Sequence, residues 1–258
     1  MTLHRFYCDS LTDPKIVLEG TEAHHLAVLR LNAGAQVELF DGAGALATAV
    51  ISGIRRNIIT LDIEQIRRTD PPKSRRIIIA VSVPKGDRFD WLIEKLTELG
   101  VERICPVIFE RTVRQPTNPK ALDRWLNLAI SAAKQCKRLF LPQIDPPANL
   151  HDCFESIKKD TPNCRIIAGG ISGDCPSLAA QSFGQNACGE LSRTDVAAFI
   201  GPEGGLTESE EAFLKSQNAQ FVRLSDTILR TETAALSFAA ILSAQRGAIE
   251  NLTNPEGS

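Results

Sequence analysis

The sequence predicts an α/β protein whose larger part is built on a mainly parallel sheet, with a small β-barrel ahead of it. Apolar runs such as Ile77-Ile78-Ile79-Ala80-Val81-Ser82-Val83 and Val196-Ala197-Ala198-Phe199-Ile200 have the length and unbroken hydrophobicity of strands buried on both faces. Strands and amphipathic segments alternate from about residue 75 to the end, the pattern of a helix-covered parallel sheet. Before residue 70 the pattern differs, with short strands and turn residues at close spacing.

In chain order, Ile16 to Leu18, Gln36 to Phe40, Leu46 to Ile54 and Ile58 to Glu64 read as the first strands. Asp41-Gly42-Ala43-Gly44 makes a hairpin connection, and Thr21 caps a brief helix over Glu22 to Leu29. Arg67-Arg68-Thr69-Asp70-Pro71-Pro72-Lys73-Ser74 reads as a linker, because two prolines among polar residues continue neither helix nor strand. Two domains are therefore predicted, 1–70 and 75–250. In the second, Ile77 to Val83 is a strand, Phe89 to Leu99 is an amphipathic helix closed by Gly100, and Val101 to Phe109 returns as a strand. Asn118-Pro119 opens a helix running through Trp125 to about Lys137, and Leu150 to Ile157 is a short helix. Arg165-Ile166-Ile167-Ala168 is a strand ending in Gly169-Gly170, and the small polar segment 171–193 carries no readable role. Local rules draw these elements as an open doubly wound sheet.

Composition narrows the function classes. With 258 residues, 43% of them hydrophobic, the chain has ample material for a core. A net charge of −2 excludes a general polyanion-binding field, so any nucleic-acid contact must come from local patches. The first residues hold no long apolar core, and the longest apolar stretch, Ala234 to Leu242, is too short to cross a membrane. A cytoplasmic protein is expected. Seven cysteines without a C-x-x-C pair point away from zinc and disulfide frameworks. Cys153, Cys164 and Cys175 with His151 form the one grouping with metal-ligand chemistry, but reduced, partly buried thiols are the preferred reading and no metal is expected. His24-His25 on the first helix is read as surface or packing.

Two stretches near the end carry the chemistry. Gly201-Pro202-Glu203-Gly204-Gly205 directly follows the strand ending at Ile200 and leads into Thr207-Glu208-Ser209-Glu210, a capping box starting a helix to about Gln217. A strand, a Gly/Pro turn and a capped helix set backbone N–H groups at the carboxyl end of a sheet strand, where α/β folds bind ligands. The loop lacks both the G-x-G-x-x-G spacing and a closing Gly-Lys-Ser/Thr, and Glu203 would repel a pyrophosphate. A neutral or cationic nucleoside-like ligand fits better, with a plain strand-to-helix turn as the alternative. The second stretch, Ile228-Leu229-Arg230-Thr231-Glu232-Thr233-Ala234, sets a cation, an anion and two hydroxyls before a helix that is apolar almost all round. A helix cap with an Arg230–Glu232 ion pair is the alternative there.

Together these stretches resemble the 16S ribosomal RNA uridine-N3 methyltransferases, a family of the knotted SPOUT class of S-adenosylmethionine-dependent enzymes. His4-Arg5-Phe6, Lys85-Gly86-Asp87-Arg88 with Lys95 to Val101, and Ala132-Ala133-Lys134-Gln135-Cys136-Lys137-Arg138 extend the resemblance over nearly the whole chain. It implies a SPOUT-type trefoil-knotted parallel sheet with helices on both faces, preceded by a PUA-like β-barrel that helps dock RNA. It also implies S-adenosyl-L-methionine held by Gly169, Gly170, Ile200, Gly201, Pro202, Glu203, Gly204, Gly205, Leu224, Ser225, Ile228, Leu229 and Thr233. The implied reaction centre is Arg230, Thr231 and Glu232, and the implied RNA contacts are Arg5, Arg30, Lys85, Arg88, Arg111, Arg114 and Arg138. The implied partners are 16S rRNA in the small ribosomal subunit and a second copy of the chain, a homodimer formed through the final helix. Lys134 stands where the family usually has an acidic residue, and Ser225 where it often has glycine.

Methylation of uracil N3 requires loss of the imide proton, and the resulting charge spreads onto the flanking carbonyl oxygens, where a fixed cation lowers the barrier. Arg230 is the expected cation, with Thr231 and Thr233 as hydrogen-bonding support. No general base is named; water and Glu232 are both open. Two other classes remain open on the sequence, a nicotinamide-dependent enzyme and a non-catalytic RNA-binding protein, along with a SPOUT enzyme acting on another RNA site.

Overall fold

The computed structural model describes residues 3–56, 58–72, 75–113, 120–170, 175–180 and 194–253, with side chains of the last helix described as far as Arg246. Backbone contacts divide the chain into two units, Met1–Pro72 with Ile130–Leu141, and Lys73–Ala129 with Pro142–Ser258.

The first unit holds β1 (Arg5–Tyr7), β2 (Lys15–Leu18), α1 (Gly20–Val28), β3 (Gln36–Phe40), β4 (Ala45–Arg55) and β5 (Ile58–Arg68). The sheet order is β1-β3-β4-β5-β2, antiparallel except where β1 runs parallel to β3. Register shifts at Thr48/Ala49 and Ile51/Gly53 let the long β4–β5 pair bend, which curls the sheet around its own core. Phe6, Leu11, Leu39, Ala47, Ile51 and Leu61 fill that core. The expected hairpin at Asp41 to Gly44 is present, and the Asp41 carboxylate accepts the Ala43 and Ala45 amides at 2.8 and 2.9 Å. Two local expectations are corrected. Glu19, not Thr21, is the N-cap of α1 and makes no side-chain cap bond, and β5 continues through Arg67 and Arg68, so the linker predicted from Arg67 begins later. β1 was not foreseen, because three residues are too few for period-two alternation to register.

A helical turn from the second half of the sequence belongs to this unit. Lys134 donates to Glu22 Oε1 at 2.5 Å, and Glu22 Oε2 in turn accepts the Tyr7 amide at 3.0 Å. The basic residue at 134 therefore has a carboxylate waiting for it in α1. Burial, and then the Lys134 ammonium, hold the neighbouring His25 imidazole below its ordinary pKa, and His25 packs on Phe6 with ring centroids 5.4 Å apart.

The second unit contains β6 (Ile77–Ser82), α2 (Arg88–Glu98), β7 (Arg103–Ile108), α3 (Ala121–Cys136), β8 (Gln143–Ile144), β9 (Ala148–Asn149), α4 (Leu150–Asp160), β10 (Arg165–Gly169), β11 (Val196–Ile200), α5 (Glu208–Ser216), β12 (Gln220–Val222) and α6 (Thr231–Thr253); α3 begins in it and ends in the first unit. All pairings are parallel, in the order β12-β10-β11-β6-β7-β8, with β9 also on β7. Alternation along β6 sorts the two faces. Ile77, Ile79 and Val81 pack with Phe89, Leu92, Trp125, Phe238 and Leu242 from α2, α3 and α6. Ile78 and Ala80 pack with Phe154, Ile157 and Leu214 from α4 and α5. Burying each large apolar side chain contributes about 1.5–3 kcal/mol, so this double-sided core dominates the unit's stability. Asn118-Pro119, the expected start of α3, lies outside the described residues, as does most of the 171–193 segment.

The predicted capping box of α5 is complete, and it reaches further than a cap. Thr207 Oγ1 accepts the Glu210 amide at 3.4 Å and Glu210 Oε2 accepts the Thr207 amide at 2.8 Å, while Glu210 Oε1 accepts the Glu110 amide at 2.8 Å. One buried carboxylate thus ties the start of α5 to the loop after β7. Glu210→Ala leaves two amides without acceptors and is expected to lower the unfolding free energy by about 2 kcal/mol, with Glu210→Gln losing about half as much. Urea-denaturation midpoints of the two variants check this, and equal midpoints for parent and alanine variant would contradict the tie.

Candidate active site

The carboxyl ends of β10, β11 and β12 bring the two sequence motifs together. The Gly170 amide donates to the Val222 carbonyl at 2.9 Å, joining the Gly169-Gly170 turn to the end of β12. Residues 175–180 lie alongside the same segment, with Leu178 donating to the Arg223 carbonyl and Arg223 to the Pro176 carbonyl, both at 2.9 Å. Thr231, 3% exposed at the start of α6, donates through Oγ1 to the Gly201 carbonyl at 3.1 Å. The last helix is therefore bonded directly to the glycine loop. β12 ends at Val222, so the second motif lies in a loop and the first turn of α6 instead of next to a strand end as expected.

Within the glycine loop, Gly205 has φ +72°, and a Cβ built there would meet nothing within 4 Å. The conformation favours glycine and the space beside it is open. Gly204 behaves otherwise, since its Cβ would point at the aliphatic stem of Arg111 at 3.4 Å and not into open space. Arg111 itself donates through Nη1 to the carbonyls of Gly204 and Leu206 at 2.9 and 3.2 Å. It braces the loop from the end of β7. Ser209 Oγ on Glu110 Oε1 at 3.0 Å, together with the Glu210 carboxylate, fastens the same two segments. At the third loop, Ser225 holds Thr227 in a short turn, with its Oγ accepting the Thr227 amide at 3.2 Å. Residue 225 is not among the positions of positive φ, so the backbone there has no need of glycine.

Arg88, at the first position of α2, stands between the motifs. Its Nη1 lies 3.7 Å from Glu203 Oε1 in the glycine loop and 3.6 Å from Glu232 Oε1 in α6. The neighbouring Asp87 and Asp90 are engaged by Arg124, which leaves Arg88 to the two glutamates. Arg88 is 42% exposed, and pairs of this kind contribute about 1 kcal/mol or less, so their effect is orientation more than stability. Glu232 is only 12% exposed, and its second oxygen, Oε2, is buried with no hydrogen-bond partner among the described residues. The Arg230–Glu232 ion pair considered from the sequence is thus replaced by Arg88–Glu232. Arg230 is exposed, and its carbonyl accepts the Ala234 amide at 2.8 Å. Leu224 and Leu229 are half-buried, Thr233 is exposed, and Ile228 stands 84% exposed. Pro202 and Ile200 are buried beneath the loop.

The basic residues expected at RNA divide into internal and external groups. Arg5 is an internal residue of the first unit, paired with Glu38 at 2.9 Å and lying over the Phe40 ring. Arg88 and Arg111 are engaged as described. Arg30 and Lys85 are exposed, Arg138 is half-buried, and Arg114 lies outside the described residues. The brace by Arg111 and the bridge by Arg88 are roles the sequence did not disclose, because bonds to distant carbonyls and carboxylates leave no mark in local spacing. Among the described residues no group of histidines, cysteines and carboxylates could hold a metal. Among the described thiols, Cys8, Cys105, Cys153 and Cys164 are buried. Cys105 is held well above its ordinary pKa by the adjacent Cys153 and by burial, and burial pushes Cys8 up to about 12.

Comparison with known proteins fits this geometry. Residues 71–243 match the model of an RNA methyltransferase domain, and residues 18–64 that of an RNA methyltransferase PUA domain. Ribosomal RNA small subunit methyltransferase E of Bacillus subtilis is 28% identical over 236 residues, covering 90% of this chain and 91% of the relative. The protein of the same name from Neisseria gonorrhoeae, solved bound to S-adenosyl methionine, is 32% identical, with a TM-score of 0.76 over 95% of this chain and 97% of that one. A Legionella pneumophila protein, also solved with S-adenosylmethionine, superposes with a TM-score of 0.81 at 26% identity over 95% of this chain and 98% of its own. The expected fold class, a SPOUT-type knotted parallel sheet with helices on both faces after a PUA-like barrel, is the fold of this chain. The chain belongs to the RNA methyltransferases of the SPOUT class whose members are named ribosomal RNA small subunit methyltransferase E.

Proposed function

We propose that this chain is an S-adenosylmethionine-dependent methyltransferase that modifies N3 of a specific uridine in 16S ribosomal RNA of the small ribosomal subunit. In this reading residues 1–70 form the RNA-docking domain and 75–250 the catalytic one, in a cytoplasmic homodimer. The observation that carries the proposal is the bond from Thr231 to Gly201, which sets the exposed Arg230 next to the glycine loop.

The residues present fit the methyl donor. Open space at Gly205 and backbone turns at Gly169-Gly170 and Leu224 to Leu229 leave main-chain groups accessible to a nucleoside-like ligand. S-adenosylmethionine supplies, when bound, an electrophilic methyl group on a sulfonium. Arg111 keeps the Gly204 and Leu206 carbonyls fixed and so sets the path of the loop that would hold it. Arg230 presents a guanidinium to the uracil carbonyl oxygens as N3 loses its proton, and its planar fork suits a carbonyl and a neighbouring acceptor at once. Thr231 is the joint that fixes Arg230 relative to the loop.

Arg111→Ala is expected to weaken S-adenosylmethionine binding by about tenfold, as one charge-assisted brace is lost, with kcat at saturating donor little changed. Calorimetric titration of the variant decides it, and unaltered affinity would separate Arg111 from the donor site. Arg230→Ala is expected to leave donor affinity within about twofold and to cut single-turnover methylation of small-subunit particles by roughly a hundredfold or more, with Arg230→Lys between the two. Chromatography of product nucleosides shows whether the methyl is on N3, and an alanine variant as fast as the parent would remove Arg230 from the reaction. The half-exposed Leu236 and Ile241 of α6 and the 43% exposed Trp91 on α2 support the homodimer. Sedimentation at micromolar concentration is expected to show the dimer mass, and a monomer of full activity would refute it.

A further inference from the structure

Glu232 offers the site one carboxylate oxygen that is already paired and one that is not. Oε1 faces the Arg88 guanidinium at 3.6 Å, while Oε2 is buried and lacks a partner among the described residues. A buried acceptor left without a donor is costly and uncommon in a native structure, so a donor is expected to arrive with a ligand. The methylated base brings one, since N3 of neutral uracil carries a proton that must leave. Arg230, two positions earlier in the chain, is permanently protonated and has no lone pair to take it.

We propose, resting on the function assigned above, that Glu232 Oε2 is the acceptor of the uracil N3 proton and that Arg88 is the positioning residue that aims it. In this step the N3–H bond breaks and its proton passes to Oε2. The electron pair left on N3 forms the new bond to the methyl carbon, and the pair of the broken carbon–sulfur bond returns to sulfur. Cation, carboxylate and neutral base become a neutral thioether, a carboxylic acid and a neutral methylated base. By engaging Oε1, Arg88 fixes which oxygen faces the substrate, and its second pairing, with Glu203, links that orientation to the glycine loop. Arg88 thereby acts through Glu232 and not by touching RNA.

A double-mutant cycle tests this, using full-length protein and small-subunit particles, with single-turnover N3 methylation, KM for particles and calorimetric affinity for S-adenosylmethionine as readouts. Glu232→Gln, close in shape, is expected to bind the donor within about twofold of the parent and to lose about a hundredfold or more in rate, the scale of a lost general base. Arg88→Ala is expected to lower kcat about tenfold with KM for particles unchanged, and Arg88→Lys to recover part of the loss. In the Glu232→Gln background Arg88→Ala is expected to change the rate less than about twofold, because its target is gone. Additive losses, or a rise in KM for particles with a flatter salt dependence, would overturn the proposal and make Arg88 a phosphate contact. A glutamine variant as fast as the parent would overturn it too. Melting temperatures of all variants separate these outcomes from misfolding. If the parent places its methyl on another atom, the assigned function fails, and the same cycle read on that product still decides whether Arg88 acts through Glu232.

Discussion

The hydrogen bond from Thr231 Oγ1 to the Gly201 carbonyl is the interaction on which the site depends. Every strand of the parallel sheet delivers backbone groups to its carboxyl end, but they make a site only if the loops leaving those ends are held in register with one another. α6 supplies that hold. Its buried face, Ala235, Phe238, Ala239 and Leu242, is anchored in the core beside β6 and α2, so the first turn of the helix has little freedom. A bond from that turn to the glycine loop therefore transmits the rigidity of the core to a segment made of Gly, Pro and Glu, which has little packing of its own.

Arginine carries the same task elsewhere in the second unit, and this explains how a chain of net charge −2 can hold so many guanidinium groups away from a polyanion. Arg76 donates to Asp195 at 2.8 Å from its amide and 2.9 Å from Nε, joining β6 to β11. Arg103 reaches Asp145 and Ser156, and Arg246 on α6 reaches Glu102 and the Gly100 carbonyl at the opposite end of the sheet from the site. Each of these joins segments distant in sequence through a planar fork that can bond two partners at once. Arg88 and Arg111 differ from them mainly in location. They sit at the carboxyl end of the sheet, where the joined segments are loops, so a change in either would alter geometry at the site before it altered stability.

β6, β7, β10 and β11 were legible because they read as apolar runs buried in the sheet, whereas β8, β9 and β12, two or three residues each, left no such run; the α5 start was legible because its capping box is written within four residues. The loops of the candidate site were legible as motifs, through glycine and the Arg-Thr-Glu-Thr cluster. What did not show was anything set by long sequence separation. The pairing of Arg88 with Glu232 spans the whole second unit, and the membership of residues 130–141 in the first unit rests on contacts such as Lys134 with Glu22. Arg5 illustrates the limit from the other side. An arginine near the start of a chain, read alone, suggests a surface charge, yet Glu38 on the neighbouring strand and the Phe40 ring make burial favourable.

The knotted return of the chain is the feature that local rules argue against most strongly, since open α/β topologies avoid threading. The physical gain is visible in which elements meet. Strand order β12-β10-β11-β6 sets the ends of the last three strands side by side, and the return of α6 across β6 and α2 brings residue 232 within reach of residue 88. In an open sheet the final helix would cover the edge beside β12, and its first turn would face one loop only. Here it faces the glycine loop through Thr231 and α2 through Glu232, so one helical turn holds the glycine loop, the Glu232 carboxylate and the exposed Arg230 in a single rigid frame.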